Sequence, residues 1–211
     1  MQHLIVATRN AHKTREIQRI LGPDFAVRDL SGYPEIPETV ENGEAFEENA
    51  VLKATAASRQ LPGLVVADDS GLEVDALGGA PGIYSARYAG QNATNKQNID
   101  KLLAELARIE RAKRSARFCC VIALARESKL LCTFEGVVEG VIVDPPRGAN
   151  GFGYDPVFMP AGIDRTFGQL SAAEKDRLSH RAHALEKLRV RLSSFSEKLG
   201  DSGPRRQACG S

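Results

Sequence analysis

The chain has 211 residues, 42% hydrophobic and 26% charged, which fits one globular domain with room for a substantial core. A net charge of +1 creates no field that would recruit nucleic acid or an anionic membrane, and no apolar run is long enough for a signal peptide or a membrane span. None of Cys119, Cys120, Cys132 and Cys209 forms a CxxC pair, and the first three sit in apolar strand-like runs, so a reducing, cytoplasmic home is expected. The one basic cluster, "ARIERAKRSAR" with Arg108, Arg111, Lys113, Arg114 and Arg117, reads as a solvated helix end and loop.

In chain order, "HLIVAT" (3–8) predicts a short buried strand. "RNAHKTREIQRILG" predicts a helix, with Ile17, Ile20 and Leu21 at helical spacing and Gly22-Pro23 as its stop. "DLSGYPEIPETVENGE" reads as a loop. A second helix follows in "AFEENAVLKATAASRQ", with Phe46, Ala50, Ala54 and Ala57 on one face, and "LVVAD" begins another strand after Pro62-Gly63. A helix from Asn98 to Ile109 carries the stripe Ile99, Leu102, Leu103, Leu106 and Ile109. "RFCCVIALAR" and "KLLCTFEGVVEGVIV" predict neighbouring antiparallel strands, and "DPPRGANGFGYDPVF" a Gly/Pro loop entering a short strand. One last helix is expected over 172–199, with Leu178, Ala182, Leu185, Leu188, Leu192, Phe195 and Leu199 inward, before a frayed tail at 200–211. The expectation is a single mixed α/β domain over 1–199, with helices covering a twisted sheet.

Chemistry concentrates in four stretches. "VVADDSGLEVDALGGAPG" (65–82) crowds Asp68, Asp69, Glu73 and Asp75 behind a buried strand, where their charges repel. Asp68 and Asp69 at that strand end suit a hard divalent cation such as Mg²⁺, whereas Glu73 and Asp75 are expected to face water. "ATRNAHK" joins the first strand to the first helix, with Thr8 and Asn10 at the junction and Lys13 in the first turn. Such a junction either receives a phosphate or is an ordinary N-cap beside an exposed lysine; the Walker A spacing is absent. "GANGFGYDP" (148–156) lacks a dinucleotide fingerprint and presents Phe152 and Tyr154 on an exposed glycine loop beside Asp155, as a platform for a base or as a hydrophobic plug. In "AEKDRLSHRAHAL", Lys175, His180 and Arg181 open the last helix; alone they are a solvated face, and His180 with His183 lacks the HExxH pattern of a zinc site. Together the four stretches offer metal-binding carboxylates, phosphate-binding cations, an aromatic platform and base-edge donors, the inventory for a nucleoside triphosphate.

The segments "TRNAHKTREI", "FEENAVLKA", "ADDSGLEVDALGGAPGIYSARYAG", "NGFGYDPVF" and "EKDRLSHRAHAL" resemble, in order, those of the noncanonical purine NTP pyrophosphatases, the Ham1 or inosine triphosphate pyrophosphatase family, in its bacterial XTP/dITP diphosphatase branch. The resemblance implies a long twisted mixed sheet in two lobes with the nucleotide in the cleft between them. It implies Mg²⁺-dependent hydrolysis of XTP, ITP and dITP to the monophosphate and pyrophosphate, commonly by a homodimer, with neither nucleic acid nor membrane as partner. Carried onto this chain, it makes Asp69 the catalytic carboxylate and a metal ligand. Thr8, Arg9, Asn10, Ala11, His12, Lys13 and Ser70 become substrate contacts. Phe152, Gly153, Tyr154 and Asp155 shape the purine pocket, and Lys175, His180 and Arg181 reach the base. Of Glu35, Glu38 and Glu41, the resemblance favours Glu41 as the second metal-side acid. On this basis Mg²⁺ and its bound triphosphate relieve the repulsion around Asp68 and Asp69. Two rival readings are a Maf-type pyrimidine nucleotide pyrophosphatase and a non-enzymatic nucleotide- or RNA-binding module using the 108–117 cluster.

Overall fold

The computed structural model describes residues 1–200, with side chains through residue 193. Its strands are β1 (Gln2–Val6), β2 (Phe25–Asp29), β3 (Val65–Val74), β4 (Ser115–Arg126), β5 (Lys129–Ile142) and β6 (Phe158–Pro160). They form one mixed sheet in the order β2-β1-β3-β4-β5-β6, parallel from β2 to β3 and antiparallel from β3 to β6. The helices are α1 (Ala11–Leu21), α2 (Phe46–Ser58), α3 (Asn95–Glu105), α4 (Ala172–Leu178) and α5 (His180–Gly200). The α/β class and the β4–β5 antiparallel hairpin agree with the sequence, and no described helix is long and apolar enough to cross a membrane.

Side-chain alternation divides the core between the two faces of the sheet. Leu4, Val6, Val66, Cys120, Ile122 and Leu124 pack under α1 and α5, against Ile17, Leu21, Leu185, Leu188 and Leu192. Ile5, Ala7, Val65, Ala67, Val121 and Ala123 pack under α2, whose small Ala50, Ala54 and Ala57 let the helix lie close to the strands. A third cluster, around Leu72, Leu102, Phe118, Tyr154, Phe158 and Phe167, fills the other end of the sheet.

Three expectations change. β3 does not stop before the acids: it runs through Asp68 and Asp69, which pair with Ile122 and Val121 of β4 in mid-strand. Residues 172–199 are not one helix: Ser179 is extended (φ −75, ψ 155) and separates α4 from α5. Its buried hydroxyl takes the Ala182 N–H at 3.1 Å, so Ser179 caps the new helix. Phe195 and Leu199, expected to face inward, have side chains outside the described residues, as does the tail from residue 201. The third helix begins at Asn95, after a Thr94–Gln97 capping box, and ends at Glu105; Ile109 lies beyond it but still packs on the core.

The basic cluster is also not a uniformly solvated face. Arg114 is buried and donates to the carbonyls of Ile109 (3.0 Å) and Leu106 (2.9 Å), closing the C-terminal end of α3. Arg117 joins Glu73 (3.5 Å), Asp75 (2.9 Å) and Glu139 (3.1 Å) across three neighbouring strands. Glu73 and Asp75 are therefore ion-paired rather than simply solvated.

Candidate active site

Successive residues of a strand point to opposite faces, so Asp68 and Asp69 are neighbours in sequence but not in space. Asp68 points to the α1/α5 face and Asp69 to the α2 face, and each meets cations from a different helix. The Asp68 carboxylate is fully enclosed and accepts from Lys13, from Ser70 Oγ at 2.9 Å, from the Arg181 Nε–H at 2.8 Å and from the Cys120 thiol at 3.2 Å. Burial pushes its pKa up, but Arg181 and Lys13 outweigh that and hold it well below the usual carboxylate range. The protein's own cations, Lys13 and Arg181 on one face and Lys53 on the other, thus already offset the charge of the acidic pair.

Asp69 has a different setting. Its Oδ1 accepts from Lys53 Nζ at 2.7 Å, and the same ammonium reaches Glu41 Oε1 at 3.0 Å and the Asp68 carbonyl at 2.9 Å. Burial raises the Asp69 pKa, and Lys53 only partly opposes it. Lys53 itself lies on the inner side of α2. Of the three glutamates between 35 and 41, Glu41 is the one this lysine ties to Asp69; Glu38 is exposed, 3.9 Å from Arg9. A cavity of about 270 Å³ opens here, lined by Thr8, Asn10, Lys13, Glu41, Lys53 and Asp69 among others. Arg87 also borders it, its guanidinium 3.8 Å from Glu41 and stacked on the Tyr84 ring.

The β1–α1 junction is built as an N-cap. Asn10 Oδ1 takes the N–H groups of His12 (2.9 Å) and Lys13 (3.3 Å), and Thr8 Oγ1 takes the N–H of Asn10 at 3.1 Å. Ala11 is the first residue of α1 and is exposed, as is His12, whose ring lies 5.5 Å from that of Phe152. Arg9 holds the next loop, donating to the carbonyls of Leu30 and Ile36 at 2.6 Å each.

A second cavity, of about 290 Å³, adjoins the first through Asn10 and Lys13 and extends to Ser70, Phe152, Gly153, Tyr154, Asp155, Lys175, His180 and Arg181. The break at Ser179 is what brings the last three together. In a continuous helix, Lys175 and His180 would point about 140° apart. Instead, α4 delivers Lys175 and the first turn of α5 delivers His180 and Arg181 to one chamber. Phe152 is half-buried, with Lys175 Nζ 4.8 Å from its ring centre. Tyr154, expected to be exposed, is instead 3% exposed, and its hydroxyl donates to the Ser85 carbonyl at 2.9 Å. Aromatic area of that size is retained in the core, with its polar end bonded. Asp155 is equally buried, 2.6 Å from Lys175 Nζ, and takes the Phe152 N–H at 2.8 Å.

His180 is buried and stacked on Phe118, with ring centres 4.7 Å apart and planes 10° apart, and among the described residues its Nδ1 has no hydrogen-bond partner. Burial, reinforced by Arg181 and Lys175, drives its pKa well below the ordinary value, so it is neutral. Arg181 is 1% exposed and donates to Asp68, Ser70 and Glu16. Glu16 was not singled out from the sequence. This buried acid on α1 pairs with Arg181 and lies 3.3 Å from Lys175. Lys53 and Arg87 were missed as well, although "FEENAVLKA" and "GIYSARYAG" contain them. The signal available for Lys53 was its spacing from Ala50, Ala54 and Ala57, which places it near the buried stripe of α2.

The Ham1 family profile matches residues 4–191. A dITP/XTP pyrophosphatase of Shouchella clausii is 49% identical over 198 residues, 94% of this chain and 100% of that protein. One from Bacillus subtilis is 46% identical, over 89% of this chain and 96% of its own length. The solved structure of the Staphylococcus aureus Ham1 protein superposes with a TM-score of 0.81 at 42% identity, covering 92% of this chain and 100% of that one. A HAM1 protein from Coxiella burnetii gives 0.82 at 41% identity over 92% and 100%. With nearly its whole length matched by that profile, and with relatives at these identities, the chain belongs to the Ham1 family.

Proposed function

We propose that this protein is a Mg²⁺-dependent pyrophosphatase that hydrolyses XTP, ITP and dITP to the monophosphate and pyrophosphate, removing deaminated purines from the nucleotide pool. The observation that carries this reading is the pair of cavities meeting at Asn10 and Lys13. One holds cations and carboxylates suited to a triphosphate, the other an aromatic ring and donors suited to a purine. The names of the relatives supply the substrate class.

In this reading Thr8, Asn10, Ala11, His12 and Lys13 hold the phosphates, and Arg9 fixes the adjoining loop. Phe152 stacks on the purine, Gly153, Tyr154 and Asp155 shape its pocket, and Lys175, His180 and Arg181 face its edge, with Ser70 between the two ends. Among the described residues no three His, Cys, Asp or Glu side chains converge as a metal cage. Two carboxylates bridged by one ammonium fit Mg²⁺ nonetheless, since this ion takes one or two carboxylates and completes its shell with water and phosphate oxygens. Asp69 and Glu41 are the ligands we assign. When bound, Mg²⁺ supplies charge neutralisation on the phosphates and on the departing pyrophosphate. Lys13 and Lys53 lie beside the same cavity and add to that neutralisation. Water attacks the α-phosphorus in line with the bridge to the β-phosphate. The new P–O bond forms as the bridge breaks, and Asp69, whose Oδ1 is held by Lys53, takes the water's proton on Oδ2.

We further place the protein in the cytoplasm as a homodimer of one two-lobed unit over 1–199, acting on free nucleotides without nucleic acid or membrane. The commitment of Arg114 and Arg117 to internal partners speaks against an RNA-binding use of their cluster. The deciding experiment is a nucleoside triphosphate panel with Mg²⁺, scoring pyrophosphate against single phosphate. Preferential release of pyrophosphate from dITP and XTP is expected; faster turnover of dTTP would establish the Maf-type alternative, and no turnover of any would remove the enzymatic reading.

Phe152→Ala tests the stacking role. The lost base–aromatic contact should weaken binding by about 1–3 kcal/mol, seen in KM and alike for ITP and XTP. Unchanged KM together with lowered thermal stability would make Phe152 a plug for its loop.

A further inference from the structure

α2 reaches the site by two side chains one turn apart. The second, Lys53, ties Glu41 to Asp69. The first, Asn49, is fully buried, and among the described residues its Nδ2 has no hydrogen-bond partner. Its Oδ1 accepts the Gly43 N–H at 2.9 Å, while its backbone N–H makes the ordinary first helical bond to the Ala45 carbonyl at 3.2 Å. Beside it, Glu48 takes the Glu44 N–H at 2.8 Å. Residues 43–45 are thus stitched to the opening turns of the helix, while Lys53 holds residue 41 from the next turn. Contact at Gly43 is close: a Cβ there would lie 2.7 Å from Glu48 Cβ and 2.9 Å from Asn49 Oδ1. Glu41 has no strand or helix of its own; its place beside Asp69 depends on these ties.

We propose that Asn49 is the positioning residue for the metal-side acid, its side chain fixing Gly43 so that the Glu41 carboxylate two residues earlier stands beside Asp69. This inference rests on the assignment of Asp69 and Glu41 as Mg²⁺ ligands and names what sets their spacing. A buried amide does this better than a charged group. Its carbonyl satisfies a loop N–H that would otherwise be unpaired at the close approach, and it brings no carboxylate charge to compete with Glu41 for Lys53. Groups that orient metal ligands without touching the metal typically change metal affinity by about 10–100-fold when removed.

The test is Asn49→Ala on the full chain, read by Mn²⁺ titration with electron paramagnetic resonance and by the Mg²⁺ concentration for half-maximal dITP turnover. Both should weaken by about tenfold or more. KM for dITP and kcat at saturating Mg²⁺ should stay near wild type. Gly43→Ala disturbs the same contact from the loop side and should give the same signature if Asn49→Ala fails to fold. A change in melting temperature with metal affinity unaltered in both variants overturns the inference, because a purely structural amide has that effect. Loss of kcat at saturating metal with unaltered metal affinity overturns it too. Failure of the underlying assignment appears elsewhere: the wild type would then show neither a Mn²⁺ site sensitive to Asp69→Asn nor Mg²⁺-dependent turnover.

Discussion

Asp69→Asn should leave a folded protein whose kcat for dITP is lower by about a hundredfold or more, the scale of general-base catalysis. Burial disfavours the charged form of this carboxyl in the folded chain, and Lys53 only partly compensates. A neutral amide of the same shape therefore costs the fold little, and Lys53 keeps its bonds to Glu41 and to the Asp68 carbonyl. What disappears is the acceptor for the water's proton and one charge toward Mg²⁺. Asp68→Asn is the informative contrast. Its charge is shared by Lys13 and Arg181 in an enclosed site, so neutralising it should lower stability first and activity as a consequence. Denaturant midpoints beside kcat separate the two outcomes. If the folded Asp69→Asn protein turns over dITP normally while Asp68→Asn is stable and inactive, the catalytic assignment belongs to Asp68.

The contrast between these adjacent acids also marks where sequence reasoning stops. Helices α1 and α2 were legible because Ile17, Leu21, Ala50, Ala54 and Ala57 recur at a period that only a helix places on one face. Strands β4 and β5 were legible as long apolar runs. β2 was missed because five residues, Phe25–Asp29, with a charged Arg28 among them, carry too little alternation to stand out. β3 looked finished at Asp68 because two successive acids are poor strand formers. The reason it continues is tertiary: Lys13 and Arg181 wait on one face and Lys53 on the other, each more than ten positions away in sequence. Segments with functional side chains could be recognised as motifs, but their electrostatic partners could not. Glu16 and Lys53 look like surface residues of amphipathic helices until the sheet closes over them. Ser179 is different, because a serine opening "SHRAHAL" is an N-cap signal that was available in the sequence.

Arg181→Ala should have the largest effect on the fold, about 3–5 kcal/mol, the cost of breaking a buried ion pair by removing one partner. Its guanidinium is 1% exposed and bonds two enclosed carboxylates, Asp68 and Glu16, which belong to β3 and α1 while Arg181 begins α5. Against a typical domain stability of about 5–15 kcal/mol, such a loss leaves a marginal protein. The deficit should depend on pH in a known direction. Burial pushes the Glu16 carboxyl up, but Arg181 and Lys175 outweigh it and hold it below the usual range. A depressed folded pKa stabilises above the unfolded value, near 4.3 or so, and that stabilisation is lost as pH falls through the folded value. Without Arg181 the stabilisation is missing at neutral pH, so the gap between wild type and variant should be widest there and narrow as pH drops into the carboxylate range. Denaturant unfolding of both proteins between neutral pH and about pH 4 measures it; a gap constant with pH would mean that lost packing, not lost pairing, is responsible. Specificity then has to be read from Arg181→Lys, which keeps a cation for Asp68 but not the rigid fork that also holds Ser70 and Glu16. Hypoxanthine offers an O6 acceptor where adenine carries an amino donor, so correctly aimed donors favour ITP, and a buried donor left unpaired by ATP costs about 1–3 kcal/mol. Loosening that aim should lower kcat/KM for ITP more than for ATP and compress their ratio, while the ITP/GTP ratio, with O6 common to both, moves less. An equal fall for ITP and ATP would make Arg181 a structural cation, leaving Lys175 and the unpartnered Nδ1 of neutral His180 as the groups that read the base.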